Sequence, residues 1–246
     1  MNVSPSQLQK LRRCERMFGF EYVEGLKPPT SPKQQFGTDV HKVLEHWLMT
    51  GKIDDSIEAE VAKQGVPWIP PPDTRLLTEH NINFKWNDRA SINGYIDCIR
   101  PPTMFPYEAL VVDHKTTSDL RWAMSASELM DDPQALIYSI WAMLTYEVKE
   151  VAARWVYYAA TNPDKGPRKP RGSKPIEVKF EANDSIFLDK VARLHQDIER
   201  IVFIRSNEIK GSELIPNPSS CGMYGGCFHQ ERCTLSADDR LDAYFK

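Results

Sequence analysis

The stretch Val111-Val112-Asp113-His114-Lys115-Thr116-Thr117 decides how the rest of the chain is read. Two β-branched residues lead into an acid, and a lysine follows two positions later. In a strand, alternate side chains share a face, so Asp113 and Lys115 point the same way and His114 points away from them. A candidate metal ligand thus stands beside a cation. The same pattern fits a solvated ion pair at a strand end, so its meaning rests on its neighbours.

Upstream, residues 76–86 and 90–100 alternate in the manner of strands, with Asn87-Asp88 as the turn between them. The second holds Gly94-Tyr95-Ile96-Asp97-Cys98. Asp97 and Cys98 face opposite sides of a sheet, so if Asp97 looks into a site, Cys98 is core. Antiparallel pairing centred near Phe105 sets Asp97 opposite Asp113, with Cβ atoms about 4.5–5.5 Å apart. Two carboxylates so placed repel unless they share a cation, which favours a metal. Glu79, on the preceding strand, is either a further acid of this site or a solvated strand residue.

Downstream, Asp132-Pro133 reads as a helix cap followed by proline in the first turn, opening a helix over 133–147. Gln134 and Tyr138 lie four apart and share its face. Residues 151–160 are apolar, β-branched and aromatic, as in a strand buried on both faces. Strand, helix and strand in this order predict a crossover unit. Residues 165–174 carry five positive charges, Lys165, Arg168, Lys169, Arg171 and Lys174, and no acid. Gly and Pro make this run a loop, able to hold phosphates if a nuclease site is near. An edge strand over 176–182 and an amphipathic helix over 183–208 follow.

Toward the N-terminus, Ser4-Pro5-Ser6-Gln7 has capping-box form and opens a helix expected to run to about residue 20, with Leu8, Leu11 and Cys14 on one face. After a Pro- and Lys-rich linker, a second helix is expected over 34–49. Phe36, Val40, Val43, Leu44, Trp47 and Leu48 form its apolar stripe and His41 lies beside them. A short polar helix within 51–63 and a proline-rich connector over 65–72 complete this half.

The chain has 246 residues, 41% hydrophobic and 26% charged, enough for a large buried core. Its net charge of −3 excludes a broad basic field, so any nucleic acid must be drawn by local patches. The first residues carry arginines and no apolar run, and no stretch reaches the roughly 18 apolar residues of a membrane span. A cytosolic protein with no membrane partner is expected. Five cysteines, an odd number, argue against a disulfide framework. Cys14 stands near one end and Cys221, Cys227 and Cys233 near the other.

Five features therefore occur in one order: Gly37-x-x-x-His41, Gly94-x-x-Asp97, Asp113-x-Lys115, Gln134-x-x-x-Tyr138, and cysteines divided between the two ends. This resembles the RecB-like branch of the PD-(D/E)XK nuclease superfamily, particularly its iron-sulfur members, the CRISPR-associated RecB-like exonucleases and the AddB nuclease domain. The resemblance runs from Ser4 to Cys233. It implies a single α/β domain over 1–246, with a restriction-endonuclease-like core, a central mixed sheet flanked by helices, and an iron-sulfur region formed by 1–25 and 210–246. It implies that His41, Asp97, Asp113 and the backbone carbonyl of His114 bind Mg²⁺ or Mn²⁺, and that Lys115 is the catalytic lysine. Gln134 and Tyr138 match the motif that orders the active site and DNA. Cys14, Cys221, Cys227 and Cys233 match the ligands of a [4Fe-4S] cluster.

The chain departs from that pattern twice. His114 stands where an aromatic or apolar residue is more usual. The late cysteines are spaced C-x5-C-x5-C rather than C-x2-C-x5-C, which keeps zinc as the alternative to the cluster and His229 as a substitute ligand. The implied function is metal-dependent DNA cleavage, exonucleolytic on single-stranded DNA or exposed duplex ends. The rival reading is a non-catalytic DNA-binding or scaffold subunit of a recombination or CRISPR adaptation complex.

Overall fold

The computed structural model describes residues 1–102, 109–162, 164, 166–223 and 226–233. Phe105, the expected centre of the strand pairing, and Lys165 of the basic run lie outside them, as does the part of the expected 210–246 region beyond Cys233. The chain divides into two compact units, one of Met1–Pro29, Asn83–Asn93 and Ala192–Lys246, the other of Thr30–Ile82 and Gly94–Val191.

The second unit carries α3 (Pro32–Thr50), α4 (Ile57–Lys63), most of β2 (Leu77–Lys85) and β3 (Ser91–Arg100), then β4 (Ala109–Thr117), α5 (Ala126–Asp131), α6 (Pro133–Tyr146), β5 (Glu150–Ala160) and β6 (Pro170–Glu181). β3 pairs antiparallel with β4, β4 parallel with β5, and β5 antiparallel with β6, while β2 pairs with β3, so the sheet is mixed. The parallel β4–β5 pair is joined through α6, the expected crossover. β5 lies between two strands and is nearly continuously buried, which is why its sequence does not alternate.

Helices cover both faces of this sheet. Phe36, Val40, Leu44 and Leu48 of α3, with Val61 and Ala62 of α4, pack on Cys98, Val112, Val156 and Tyr158. Cys98 is thus core, and burial pushes its thiol up to about 12. α6 lies against the opposite face, where Tyr138 meets Trp155. α3 begins two residues earlier than the apolar stripe implies, because Ser31 caps it, with Gln34 closing the box and Pro32 in the first turn.

The first unit holds β1 (Asn2–Val3), α1 (Pro5–Arg13), α2 (Glu15–Tyr22) and most of α7 (Ser185–Ser206). β1 pairs with the start of β3 at Ser91 and Ile92. One long N-terminal helix was the expectation; the chain instead breaks at Cys14, which is extended with φ −169° and ψ 115°. Its N–H still closes the last turn of α1 on Lys10, while Phe18 N–H starts α2 on the Cys14 carbonyl. The basic run also differs from expectation. β6 begins at Pro170, because pairing of Ala160 with Pro170 and Tyr158 with Ser173 overrides the local Gly and Pro content. α5 stands in what reads as a polar connection, started by a Ser125/Glu128 capping box. Among the described residues, no helix is long and apolar enough to cross a membrane.

Candidate active site

The pairing of Cys98 with Val112 keeps β3 and β4 in the register that brings Asp97 level with Asp113. At that level the acids acquire different partners. Asp97 Oδ2 accepts the backbone N–H of His114 at 2.6 Å, in place of a ladder carbonyl, and lies 3.4 Å from His41 Nδ1. Asp113 stays on the α6 side. Its Oδ1 accepts from Gln134 Nε2 at 2.6 Å, and its Oδ2 lies 2.6 Å from Lys115 Nζ.

Gln134 ties this cluster together. Its Oε1 accepts from Lys115 Nζ at 2.9 Å while its amide nitrogen donates to Asp113 and, at 3.1 Å, to the Tyr138 hydroxyl. Tyr138 in turn donates to the Tyr95 carbonyl on β3. The helix holding both residues is fixed at its start by Asp132, whose Oδ1 accepts from Gln134 N and Ala135 N. Lys115 is partly exposed, with 31% of its side chain accessible against 2% for Asp113.

His41, Glu79 and Asp97 each place a donor atom within 4.8 Å of the others, the single such group among the described residues. Glu79 has φ 43°, in the left-handed region a non-glycine residue seldom enters. Strain of this kind costs about 1–3 kcal/mol and persists where surrounding structure demands it. Here it turns Glu79 toward His41 and Asp97. His41 reaches them because α3 approaches β4 closely at Gly37, where a Cβ would stand 2.8 Å from Thr116 Oγ1.

His114 lies on the other side of β4. Its ring meets those of His41 and Tyr158 edge-on, its Nδ1 is 3.1 Å from the Tyr158 hydroxyl, and it is 2% exposed. Burial lowers its pKa to about 4, so the ring is neutral. Tyr158 gains its position because residue 65 is glycine; a Cβ there would lie 2.1 Å from the Tyr158 ring.

The electrostatics follow from burial and pairing. Burial raises Asp113 to about 7, with Lys115 opposing the shift. Asp97 is just as hidden, but the His41 hydrogen bond and charge overcome burial and draw it down to about 2. Burial disfavours charge on His41, yet Asp97 outweighs it and raises the imidazole. Glu79 is raised by burial and then by the Asp97 charge. One imidazole and carboxylate oxygens converging within 4.8 Å suit an octahedral divalent cation, with hard oxygens fitting Mg²⁺ and the nitrogen tolerated by Mn²⁺.

The four terminal cysteines gather in the first unit. Burial, then the sulfurs of Cys227, Cys233 and Cys14, push the Cys221 thiol up, so the other three stand close enough to act on it. Cys14 Sγ accepts Asn217 N–H at 3.3 Å, and Cys233 Sγ accepts from Arg16 Nη1 at 3.8 Å. His229 is buried between the rings of Phe20 and Phe228, with Nε2 3.4 Å from Glu21 Oε1, which also pairs with Lys10. Among the described residues, its two ring nitrogens are buried without a hydrogen-bond partner.

The residues expected from sequence therefore fall into three places: His41 and Asp97 in the acid group, Asp113, Lys115, Gln134 and Tyr138 in the hydrogen-bonded cluster, and the four cysteines apart. Sequence reasoning left Glu79 undecided and missed Tyr158 and the Tyr95 carbonyl. No periodicity marks a backbone carbonyl, and Tyr158 reads as core.

The chain resembles the crystal structure of SSO0001, with 15% identity, 81% of this chain and 76% of that one covered, and a TM-score of 0.45. It resembles a phage-related exonuclease from Haemophilus somnus 129PT at 13% identity, covering 84% of this chain and 96% of that one, with a TM-score of 0.35. No curated protein matches. The sequence profile of the PD-(D/E)XK nuclease superfamily matches residues 2–67 and 69–234, nearly the whole chain, and the chain belongs to that superfamily.

Proposed function

We propose that this nuclease is a metal-dependent deoxyribonuclease of the RecB-like iron-sulfur branch, acting as an exonuclease on single-stranded DNA or exposed duplex ends. The family match runs through both units, which supports reading the chain as one nuclease domain. The observation that carries the proposal is the Asp113–Lys115 couple standing in one unit with the group of His41, Glu79 and Asp97.

In this reading His41, Asp97, Asp113 and the His114 carbonyl hold Mg²⁺ or Mn²⁺, with Glu79 as a further ligand. The cation supplies Lewis-acid polarisation of the phosphodiester and offsets charge building on its oxygens. Lys115 keeps an ammonium at the partly exposed edge of the cluster, where it stabilises an attacking water as that water gives up its proton to bulk solvent. The water oxygen bonds to phosphorus, the P–O bond to the leaving sugar oxygen breaks, and that oxygen takes a proton from bulk solvent. Gln134 fixes the Asp113 and Lys115 side chains relative to each other, and Tyr138 anchors Gln134 to β3. His114 contributes its backbone, its ring being held in the core.

Cys14, Cys221, Cys227 and Cys233 are proposed to hold a [4Fe-4S] cluster as a structural staple between residues some 200 positions apart in sequence, with no redox step in catalysis. The C-x5-C-x5-C spacing of the late cysteines keeps a zinc site as the alternative.

Linear and closed-circular single-stranded DNA, incubated with the protein and Mn²⁺, test the assignment. Digestion of the linear form to short products, with the circle intact and chelation stopping the reaction, is expected. Cutting of the circle contradicts exonuclease action, and survival of both substrates contradicts the nuclease reading.

A further inference from the structure

We infer that a small cleft at the C-terminal ends of β4 and β5 holds a backbone phosphate of the DNA strand, next to the bond being cut; this rests on the nuclease reading above. The cleft, about 130 Å³, is lined by Lys33, Phe36, Thr116, Ser118, Asn162 and Arg168 among others. That volume is well below the roughly 300–1,000 Å³ of small-molecule pockets, so it suits a tetrahedral oxyanion rather than a whole nucleotide.

Its chemistry is that of an anion site. The lining offers two cations with hydroxyl and amide groups and contains no carboxylate. Arg168 is pre-organised: its guanidinium lies 3.8 Å above the centre of the Phe36 ring and donates to the Pro32 carbonyl. Lys33 pairs with Asp164 at 3.0 Å, but with side chains 57% and 71% exposed that pair is weak and open to exchange for a phosphate. The site also lies beyond the carboxyl ends of parallel neighbours β4 and β5, where open α/β sheets bind ligands, and beside the first turn of α3, where the helix dipole favours negative charge.

Position ties the cleft to the chemistry. Thr116 lies on the α3 side of β4, against Gly37 of the helix that carries His41. Along α3, Phe36 precedes His41 by five residues, about 7.5 Å at the helical rise of 1.5 Å per residue. A strand with one phosphate against His41, Asp97 and Lys115 therefore has a neighbouring phosphate within reach of Arg168 and Lys33. Residues 165–174, which read as a basic loop in the sequence, thus supply one cation with a defined role.

The test measures binding rather than cleavage. Full-length Lys115→Ala protein is titrated with a fluorescent single-stranded oligonucleotide across a range of salt, with and without the pair Lys33→Gln and Arg168→Gln. Losing two phosphate contacts lowers the slope of log K against log salt by about 1.4, at about 0.7 per contact on single strands, and weakens binding roughly tenfold at 0.1 M salt. The same charge change at Lys63 and Lys179, which do not line the cleft, leaves the slope unaltered. The charge-keeping pair Lys33→Arg and Arg168→Lys restores it. An unchanged slope in the first pair, or failure of the second to restore it, overturns the assignment. Cleavage by the unaltered protein is scored separately. Activity with an unaffected slope sinks the cleft alone, and a full slope effect without cleavage sinks the nuclease reading alone.

Discussion

The acid site and the cysteine set are built on opposite plans. At the acid site the two aspartates have short protein partners: Asp97 takes the His114 N–H at 2.6 Å, and Asp113 takes Gln134 at 2.6 Å. The cysteines have few contacts: Asn217 N–H to Cys14 Sγ, Arg16 Nη1 to Cys233 Sγ, and Cys221 Sγ to the Asn217 carbonyl. Oxygens held by the fold are pre-organised for an ion that comes and goes with substrate. The sulfurs, drawn from the two ends of the sequence, have fewer contacts. On the proposed reading, the difference separates a catalytic centre from a staple.

Substitutions at the two places should therefore fail in different ways. Lys115→Ala and Asp113→Ala are expected to lower cleavage by about 10³-fold while thermal melting stays within a few degrees of the unaltered protein. Melting is spared in Lys115→Ala because Asp113, already raised to about 7, takes up a proton when its partner is lost, and in Asp113→Ala because Lys115 is partly exposed and keeps its bond to Gln134. Unfolding of either variant would make this cluster structural. Cys14→Ala should do the converse, lowering melting temperature sharply and losing bound iron, since binding energy at a structural centre is folding energy. Iron and zinc analysis of anaerobically purified protein sharpens the point, because zinc without iron removes the cluster and keeps the staple.

Glu79→Gly should trade one property for the other. Glycine accepts φ 43° without penalty, so about 1–3 kcal/mol of strain is released and melting rises, while metal affinity and cleavage fall. A variant that melts lower would show that the strain has no functional basis. Gly37→Ala forces Thr116 aside and should cost about 1–3 kcal/mol by overpacking, with a loss of activity through His41.

Metal-free protein should also show a pH dependence. Asp113 titrates near 7 in the fold and near 3.8 when unfolded. The folded state thus binds more protons between these values, and this group's contribution is full below about 3.8 and is lost as pH rises through about 7. Asp113→Asn should remove that part of the decline in a melting series from pH 4 to 8. Equal slopes in the two proteins would show that Asp113 is not held protonated.

Much of the site was legible because strand alternation is a strict rule. Asp113 and Lys115 share a face, His114 does not, and Cys98 is core while Asp97 is not, all as period two requires. Gln134 and Tyr138 meet because four residues make about one helical turn. Glu79 was ambiguous for the opposite reason: its left-handed backbone departs from the alternation that would have located it. The break at Cys14 was hidden because Leu8, Leu11 and Cys14 keep helical spacing up to the point where the chain turns extended. The start of β6 was hidden because tertiary pairing with β5 overrides a Gly- and Pro-rich sequence.

The central claim is that His41, Asp97 and Asp113 form one metal site on which cleavage depends. It is tested most directly by measuring Mn²⁺ binding and cleavage of linear single-stranded DNA in the same samples of unaltered protein and Asp97→Ala. The account predicts that the unaltered protein binds Mn²⁺ and cleaves, and that Asp97→Ala, still folded, loses both together. Mn²⁺ affinity and cleavage in Asp97→Ala equal to those of the unaltered protein would contradict it.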